Sequence, residues 1–276
     1  LPLVAIRGSD VARRRLPALP AGPVLPAHGI RVLDLTRVIA GPVAGRVLAL
    51  LGADVLRVDS PALPEIAAQH LDTGLGKRST LLDLGDAFDR GAFDALLAGA
   101  DVLITGYRPG ALDRMGLSDQ EVHARCPGLV TASLSAWGDV GPWRERRGFD
   151  SLVQAATGIA RIEAGGTREP SALPAQALDH ATGYLLAAAV LRGLSAERGT
   201  RISASLARTA QWLIAAGPAE SSCDGAGELD LAQWLVRRRS PQGWLTHAAP
   251  PFVLTGGPRT WASPPVAWGS SLPIWG

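Results

Sequence analysis

The chain is poor in the residues that build disulfide-held or metal-held proteins. Its 276 residues include two cysteines, Cys126 and Cys223, which lie far apart and fit no metal-ligand spacing. The five histidines are dispersed, without an H-x-x-x-H or H-E-x-x-H pattern. The sequence therefore predicts no metal site. It favours two free thiols in a reducing cytoplasm over a single disulfide, which stays the alternative.

Long apolar runs and a strong charge of one sign are also absent. The formal net charge is +2, and the short arginine clusters have no aromatic stripe beside them, which argues against nucleic acid as a partner. The apolar run ATGYLLAAAVL is too short to span a bilayer, so we expect a buried helix and no membrane partner. The N-terminal residues lack the order of a secretory signal. The sequence predicts a cytoplasmic globular protein.

Composition divides the chain into four parts. Residues 1–28 are rich in Pro, Ala and Arg, which predicts an N-terminal arm or linker. Residues 29–215 alternate strand-like and helix-like patterns, and residues 216–243 are predicted to be a short connector. Residues 244–276 are dense in Pro, Gly and Trp. We expect this last part to be a tail that packs on the central domain, with its tryptophans filling grooves.

The central part predicts an α/β fold with a doubly wound parallel sheet. IRVLDL and DVLRVDS are typical of strands, and GPVAGRVLALLG between them has helical spacing. Further strands are predicted at STLLDL, DVLITGY and GLVTASLSAWG, with helices at DRGAFDALLAGA and SDQEVHARC. Ser118 and Glu121 have the spacing of a capping box at the second of these helices. Such β-α alternation requires right-handed crossovers between parallel strands.

The first strand-to-helix turn lacks a dinucleotide-binding fingerprint. TRVIAGPVAG does not contain G-x-G-x-x-G, although Asp59 ends the second strand where a ribose-binding acid would lie. A plain turn is therefore favoured over a nicotinamide site. The amides that open the following helix could still hold an anion such as a phosphate.

Five sequence blocks, in this order and spacing, resemble the family III CoA-transferases. They are VLDLTRVIAGPVAGRVLALLGADVLRVDSP, GKRSTLLDL, DVLITGYRPGALDRMGLS, GDVGPWRERRGFDSLVQAATG and ALDHATGYLLAAAVL. This superfamily includes formyl-CoA transferase, carnitine CoA-transferase and α-methylacyl-CoA racemase. The resemblance covers roughly residues 29–215. It implies a Rossmann-like large domain, coenzyme A as the cofactor-like substrate, and two subunits that interlock.

The resemblance also implies that Asp179 is a catalytic nucleophile. From the residues alone, Asp179 is predicted to be the N-cap of a buried helix, a position that favours the ionised carboxylate. Family members use a carboxylate at this place to form an aspartyl-CoA thioester. We therefore expect an acyl-CoA:carboxylate CoA-transferase, with an acyl-CoA and a small carboxylic acid as partners. Gly183 leaves room for the close approach of a ligand or a backbone.

The resemblance implies that coenzyme A is contacted by a turn, a basic pair, an aromatic ring and an arginine. They are Arg37, Val38 and Ala40 after the first strand, then Lys77 and Arg78, then Tyr107, and then Arg114. Charge-assisted bonds to phosphate suit the basic pair. The residues alone fit other roles equally well: a solvated loop pair, a half-buried aromatic at a strand end and a surface charge.

Several positions depart from the family pattern. Ser60 stands where a basic residue contacts coenzyme A, and Gly106 stands where Asn is common. Phe149 replaces the His of the racemase GHD segment, so a transferase is favoured over a racemase or isomerase. Asp150, the next residue, either pairs with nearby arginines or orients the active-site loop.

The small domain of the family is missing from its usual place. Only residues 213–243 separate the two segments that the resemblance assigns to the large domain. The domain could precede this chain, could come from a partner polypeptide, or could be absent from a reduced homologue. The sequence therefore predicts a homodimer, or a hetero-oligomer with a chain that supplies the small domain. A non-catalytic CoA-binding subunit stays the alternative.

Overall fold

The computed structural model describes residues 2–13, 24–217 and 230–276. Its strands form one central sheet with helices between them, and a separate two-stranded sheet. Residues 14–23 of the predicted arm, residues 218–229 of the predicted connector and Cys223 lie outside the described residues. Cys126 is a free thiol.

The sheet has seven strands and is parallel except at one edge. The strands are β1 (Val4–Ala12), β2 (Arg31–Leu35), β3 (Asp54–Asp59), β4 (Arg78–Leu81), β5 (Val102–Thr105), β6 (Val130–Ser135) and β7 (Arg198–Ser205). Their spatial order is β1-β7-β6-β5-β2-β3-β4. Every neighbouring pair is parallel apart from β1, which pairs antiparallel with β7.

Helices connect the strands. They are α1 (Ala40–Leu50), α2 (Ala67–Thr73), α3 (Ala87–Gly99), α4 (Asp119–Arg125), α5 (Asp150–Thr157), α6 (Ile159–Glu163), α7 (Ala177–Leu194) and α8 (Leu206–Ala216). Two 3-10 turns cover Asp113–Met115 and Leu231–Trp234. Ser118 and Glu121 form the predicted capping box of α4. None of the helices within the described ranges is long and apolar enough to cross a membrane.

Helices cover both faces of the sheet. On one face, α1 and α7 pack on strand residues such as Val32, Val130 and Ile202. On the other face, α3 and α4 pack on residues such as Leu33 and Leu103. Strands buried on both faces are apolar at consecutive positions, which explains the continuous apolar runs in the sequence. The predicted α/β, Rossmann-like doubly wound fold is confirmed.

Two pairings lie where the sequence indicates no strands. β1 falls within the predicted arm, and it pairs with β7 from Val4 opposite Ala204 onwards. A two-stranded sheet of β8 (Leu235–Ser240) and β9 (Gly243–Ala248) overlaps the predicted connector and the start of the tail. Both pairings depend on contacts with a partner strand rather than on a clear alternation of apolar and polar residues.

The C-terminal residues follow the β4 edge of the sheet. Three tryptophans seven residues apart donate their indole N–H groups to α1, β3 and α3: Trp261 to the Arg46 carbonyl at 2.7 Å, Trp268 to Asp59 Oδ2 at 2.9 Å and Trp275 to the Leu96 carbonyl at 3.0 Å. The Ser271 N–H donates to the carbonyl of Ser79 in β4. The backbone of an edge strand is thereby partly covered.

Close packing of α1 against α7 requires a glycine. A Cβ atom on Gly183 would lie 2.5 Å from the Ala40 carbonyl oxygen and 2.8 Å from Val43. The first of these is a backbone atom, so a methyl group can be accommodated only if the two helices separate.

We expect Gly183→Ala to destabilise the protein by roughly 1–3 kcal/mol, in spite of the higher helix propensity of alanine. Gly193→Ala in the same helix is the matched control, because its Cβ would meet side-chain atoms at 3.3 Å or more. Urea denaturation of both variants measures the difference. Equal stability of the two variants would contradict the packing argument.

Candidate active site

The turn after β2 and the residues after β5 lie at the carboxyl ends of the parallel strands, at one end of the sheet. From β2 the chain proceeds to β3 on one side, and it later returns to β5 on the other. In open α/β sheets, such a change of direction leaves a crevice that binds ligands. The turn after β2 and Gly106 after β5 meet there, since a Cβ on Gly106 would lie 3.4 Å from Thr36 Cβ.

The turn between β2 and α1 holds a strained residue. Val38 has a φ of 70°, and it is the only residue other than glycine with a positive φ among those that the structure describes. A β-branched side chain is strongly disfavoured in this region. Such a conformation persists only where the surroundings impose it, and it is concentrated at functional sites.

A buried polar network holds this turn from below. Asp34 Oδ1 accepts hydrogen bonds from the backbone N–H and the hydroxyl of Thr36. The Lys77 ammonium donates to Asp34 Oδ2 at 2.8 Å and to the Pro42 carbonyl at 2.7 Å. Gly45 is required beside this network, because a Cβ there would lie 2.5 Å from Asp34 Oδ2.

The position of Lys77 argues against its predicted contact with coenzyme A. Lys77 is 2% exposed, and its ammonium already has two partners. Burial lowers the pKa of this ammonium, and the Asp34 carboxylate opposes that shift. A phosphate could reach Lys77 only if the Asp34 ion pair opened. In this structure, Lys77 supports the turn that was expected to contact coenzyme A.

A second network holds the turn from the side. The Arg37 guanidinium donates to the Pro64 carbonyl at 2.9 Å, and the Val38 N–H donates to Glu65 Oε2 at 3.4 Å. Glu65 is in turn bound by the buried Arg57 at 2.6 Å. The Val38 conformation is therefore constrained from two directions.

Asp179 lies in the first turn of α7 but does not cap it. The helix begins at Ala177 and its N-cap is Gln176, so the predicted N-cap role of Asp179 is wrong. Instead, the Asp179 N–H donates to Oδ2 of Asp150 at 3.0 Å. The first N–H groups of a helix lack partners within it, and a carboxylate from α5 supplies one here. Asp150 thus orients the start of α7.

Asp179 and Asp150 are both buried and close enough for their charges to interact. Asp179 is 6% exposed and Asp150 is 2% exposed. Burial raises the pKa of Asp179 to about 7, and the nearby Asp150 carboxylate adds to that rise. Asp179 consequently exchanges its proton near neutral pH, whereas an ordinary aspartate is ionised throughout this range.

We expect Asp179→Asn to raise the free energy of unfolding above pH 7 by roughly 2–4 kcal/mol. Between pH 3.8 and about 7, the folded state keeps a proton on Asp179 that the unfolded state has lost. The contribution of Asp179 to stability therefore falls as pH rises through this window. Denaturation curves at pH 4, 6 and 8 should show an advantage of the variant that grows with pH. An advantage independent of pH would contradict the assignment.

The other predicted site residues are dispersed. Arg78 lies apart from the crevice, because its partner Asp54 is the first residue of β3 and marks the amino end of that strand. Arg78 pairs with Asp54 at 2.8 Å and donates to the Ile274 carbonyl, so its guanidinium serves the C-terminal tail. Tyr107 is half-buried against the α3 and α4 side of the core, and burial raises the pKa of its hydroxyl. Arg114 is exposed in its 3-10 turn, and Phe149 is 54% exposed. Their contacts with coenzyme A stay predictions.

Sequence patterns alone missed the role of Asp34 beneath the turn, and a cavity of about 490 Å³. Residues of β5, β6 and β7 line this cavity, including Thr105, Ser133 and Ser203. The alternation of polar and apolar residues in β6 and β7 was the sequence pattern that could have indicated the polar lining of this cavity. Within the described parts of the chain, no group of three or more His, Cys, Asp or Glu side chains is placed to hold a metal ion.

Comparison with known proteins places most of the chain in one family. Residues 28–229 match the CoA-transferase family III. A probable fatty acyl-CoA transferase of Mycobacterium tuberculosis, Rv3272, is 35% identical over 187 residues, which are 63% of this chain and 48% of that protein. The acetyl-coenzyme A transferase nodX of Hypoxylon pulicicidum is 36% identical over 208 residues, which are 72% of this chain and 35% of that protein.

A solved structure gives the same result. The crystal structure of Rv3272 superimposes with a TM-score of 0.64 and 34% sequence identity, and the match covers 70% of this chain and 59% of that chain. The present chain thus spans less than half the length of these two curated relatives.

Proposed function

Because this chain belongs to the CoA-transferase family III, we propose that it transfers coenzyme A from an acyl-CoA to a small carboxylic acid, with Asp179 as the nucleophile. The observation that carries the proposal is the placement of Asp179. It is a buried carboxylate in the first turn of α7, with its backbone held by Asp150 and a proton affinity matched to neutral pH. Groups tuned in this way are concentrated at catalytic sites.

The proposed reaction proceeds through four displacements at carbonyl carbons. The Asp179 carboxylate attacks the acyl carbonyl, which gives a mixed anhydride and releases the CoA thiolate. The thiolate attacks the aspartyl carbonyl, which gives the aspartyl-CoA thioester and releases the free acid. The acceptor carboxylate then attacks the thioester and expels the thiolate again. The thiolate finally attacks the acceptor carbonyl, which forms the new acyl-CoA and regenerates Asp179.

Local structure supports this role for Asp179. Asp179 lies in the first turn of α7, where the positive end of the helix dipole favours the ionised, nucleophilic form of a carboxylate. Burial acts in the opposite sense and limits competing water. The ionised fraction rises with pH through about 7, so formation of the adduct should accelerate from pH 6 to pH 8.

The strained turn is the proposed cradle for coenzyme A. Arg37, Val38 and Ala40 adjoin α7, because Ala40 contacts the helix at Gly183. Tyr107 lies at the end of β5, next to Gly106, and Arg114 provides an exposed guanidinium for phosphate. We leave Lys77 out of this set because its ammonium is buried and paired.

Trapping the covalent intermediate tests the proposal. The protein is incubated with acetyl-CoA and then treated with hydroxylamine or borohydride, and Asp179 is examined by peptide mass spectrometry. We expect a hydroxamate or an alcohol at Asp179 and at no other carboxylate. Turnover of acyl-CoA without modification of Asp179 would reject the mechanism.

A second candidate is a CoA-binding subunit that needs another polypeptide for turnover, and exposed apolar surface favours it. Apolar residues are exposed next to the site, including Phe149, Leu152 and Trp212. A native mass measurement and a calorimetric titration with CoA distinguish the candidates. Binding of CoA without any Asp179 adduct, in a chain that associates with a partner, supports the subunit.

An isomerase is the weaker alternative, because Phe149 cannot transfer a proton. Proton exchange at the α-carbon of an acyl-CoA in D₂O, followed by NMR, would reveal such an activity.

A further inference from the structure

Gln154 lies on α5, one turn after Asp150, and is 3% exposed. A buried amide needs partners for both its oxygen and its nitrogen. Here Nε2 donates to Oδ1 of Asp150, and Oε1 accepts the backbone N–H of Leu173 at 2.9 Å. Both ends of the side chain are therefore engaged.

These two bonds join the parts of the chain that place Asp179. Leu173 belongs to residues 164–176, which lead from α6 into α7. Asp150 uses its other oxygen, Oδ2, to accept the Asp179 N–H. Gln154 therefore links the carboxylate that binds the start of α7 to the segment that enters it.

We propose that Gln154 is a positioning residue for Asp179: it fixes the Asp150 carboxylate and the entry to α7, and thereby holds the first turn of that helix. The proposal rests on the proposed function only for its effect on acyl transfer. Its effect on the Asp179 backbone is independent of any reaction.

The polarity of the amide is the reason for glutamine at this position. Nε2 must face Asp150 because a carboxylate can only accept, and Oε1 must face Leu173 because a backbone N–H can only donate. An ionised glutamate would turn an acceptor toward Asp150 and repel it. A protonated glutamate could still donate through its hydroxyl, and a methionine could do neither.

The charges around Asp179 are few. Asp150 adds to the effect of burial on the pKa of Asp179. The pKa of the adjacent His180 is lowered by burial and by Arg46, and Asp72 and Asp150 oppose that shift. Gln154 is neutral, so its influence on Asp179 acts through geometry.

Hydrogen exchange of the Asp179 amide tests the proposal. In Gln154→Met, we expect the protection factor of this amide to fall about tenfold, while that of Leu186 in the middle of α7 is unchanged. In Gln154→Glu, protection should be retained at pH 5 and lost at pH 8. Thr157→Val is the matched control, because its hydroxyl bonds only to carbonyls within α5.

Wild-type protection of the Asp179 amide in Gln154→Met would overturn the proposal, as would protection in Gln154→Glu that does not change with pH. If Gln154→Met fails to fold, the pH comparison within Gln154→Glu decides. In the wild-type protein, the side-chain amide signals of Gln154 should shift with the titration of Asp179, and unshifted signals would count against the link.

Acyl transfer gives a separate readout. If the wild-type protein forms the Asp179 adduct, Gln154→Met should form it about tenfold more slowly. If the wild-type protein forms no adduct, the proposed function fails, and the amide exchange still decides the role of Gln154.

Discussion

Asp179→Asn is expected to abolish the covalent adduct and to lower any acyl-CoA turnover by at least about 1,000-fold. The substitution removes the attacking oxygen while keeping the size and the hydrogen-bonding shape of the side chain. The backbone N–H of Asp179 still reaches Asp150, so the helix start is preserved. Peptide mass spectrometry after incubation with acetyl-CoA measures the adduct, and formation of a new acyl-CoA in the presence of a carboxylic acid acceptor measures turnover.

Asp139→Asn is the control for this experiment. It makes the same chemical change at an exposed carboxylate of the loop after β6. We expect wild-type adduct formation in this variant. Full turnover in Asp179→Asn would remove the nucleophile from the mechanism. A loss in both variants would mean that the assay does not report on Asp179.

Lys77→Met is expected to destabilise the protein by about 3–5 kcal/mol, because it leaves the Asp34 carboxylate buried without its counter-ion. Asp34 is fully buried, and Lys77 supplies the charged partner of its Oδ2. Chemical denaturation at pH 7 measures the loss. A change below about 1 kcal/mol, of the size found for exposed ion pairs, would contradict the buried pair.

The double variant Lys77→Met/Asp34→Asn separates the charge effect from packing. Removing both charges should recover roughly 1–3 kcal/mol relative to Lys77→Met alone. The asparagine oxygen can still accept the Thr36 N–H that shapes the turn. If the double variant is less stable than Lys77→Met, the hydrogen bonds of Asp34 to Thr36 matter more than its charge.

Local patterns predicted the core of the fold well. β2, α1 and β3 follow directly from apolar periodicity, and the capping box of α4 is a contact between residues three apart. β1 was missed because its partner β7 lies almost the whole domain away in the sequence, and β7 was missed because its alternation covers only the short run RISAS. β8 was missed as well, because its three consecutive arginines show no strand pattern and its pairing with β9 defines the strand.

The sequence indicated where the candidate site residues lie along the chain, but it did not indicate which residues they contact. The first turn of α7 does contain Asp179, but Gln176 occupies the N-cap position, and a distant carboxylate, Asp150, accepts the Asp179 N–H. Lysine is almost always exposed, so burial of Lys77 could not be read from GKRS without knowing that Asp34 lies beneath it. The positive φ of Val38 likewise accompanies a contact between residues distant in sequence, the donation of its N–H to Glu65.

Lys77 is the single lysine in the sequence. Amine-reactive reagents, such as activated esters or reductive methylation, therefore meet no freely accessible lysine side chain in the folded protein, since the ammonium is buried against Asp34. Label can enter at Lys77 only when this part of the chain opens. The rate at which Lys77 is modified therefore reports how often the turn between β2 and α1 opens. A ligand that closes the turn should slow this modification.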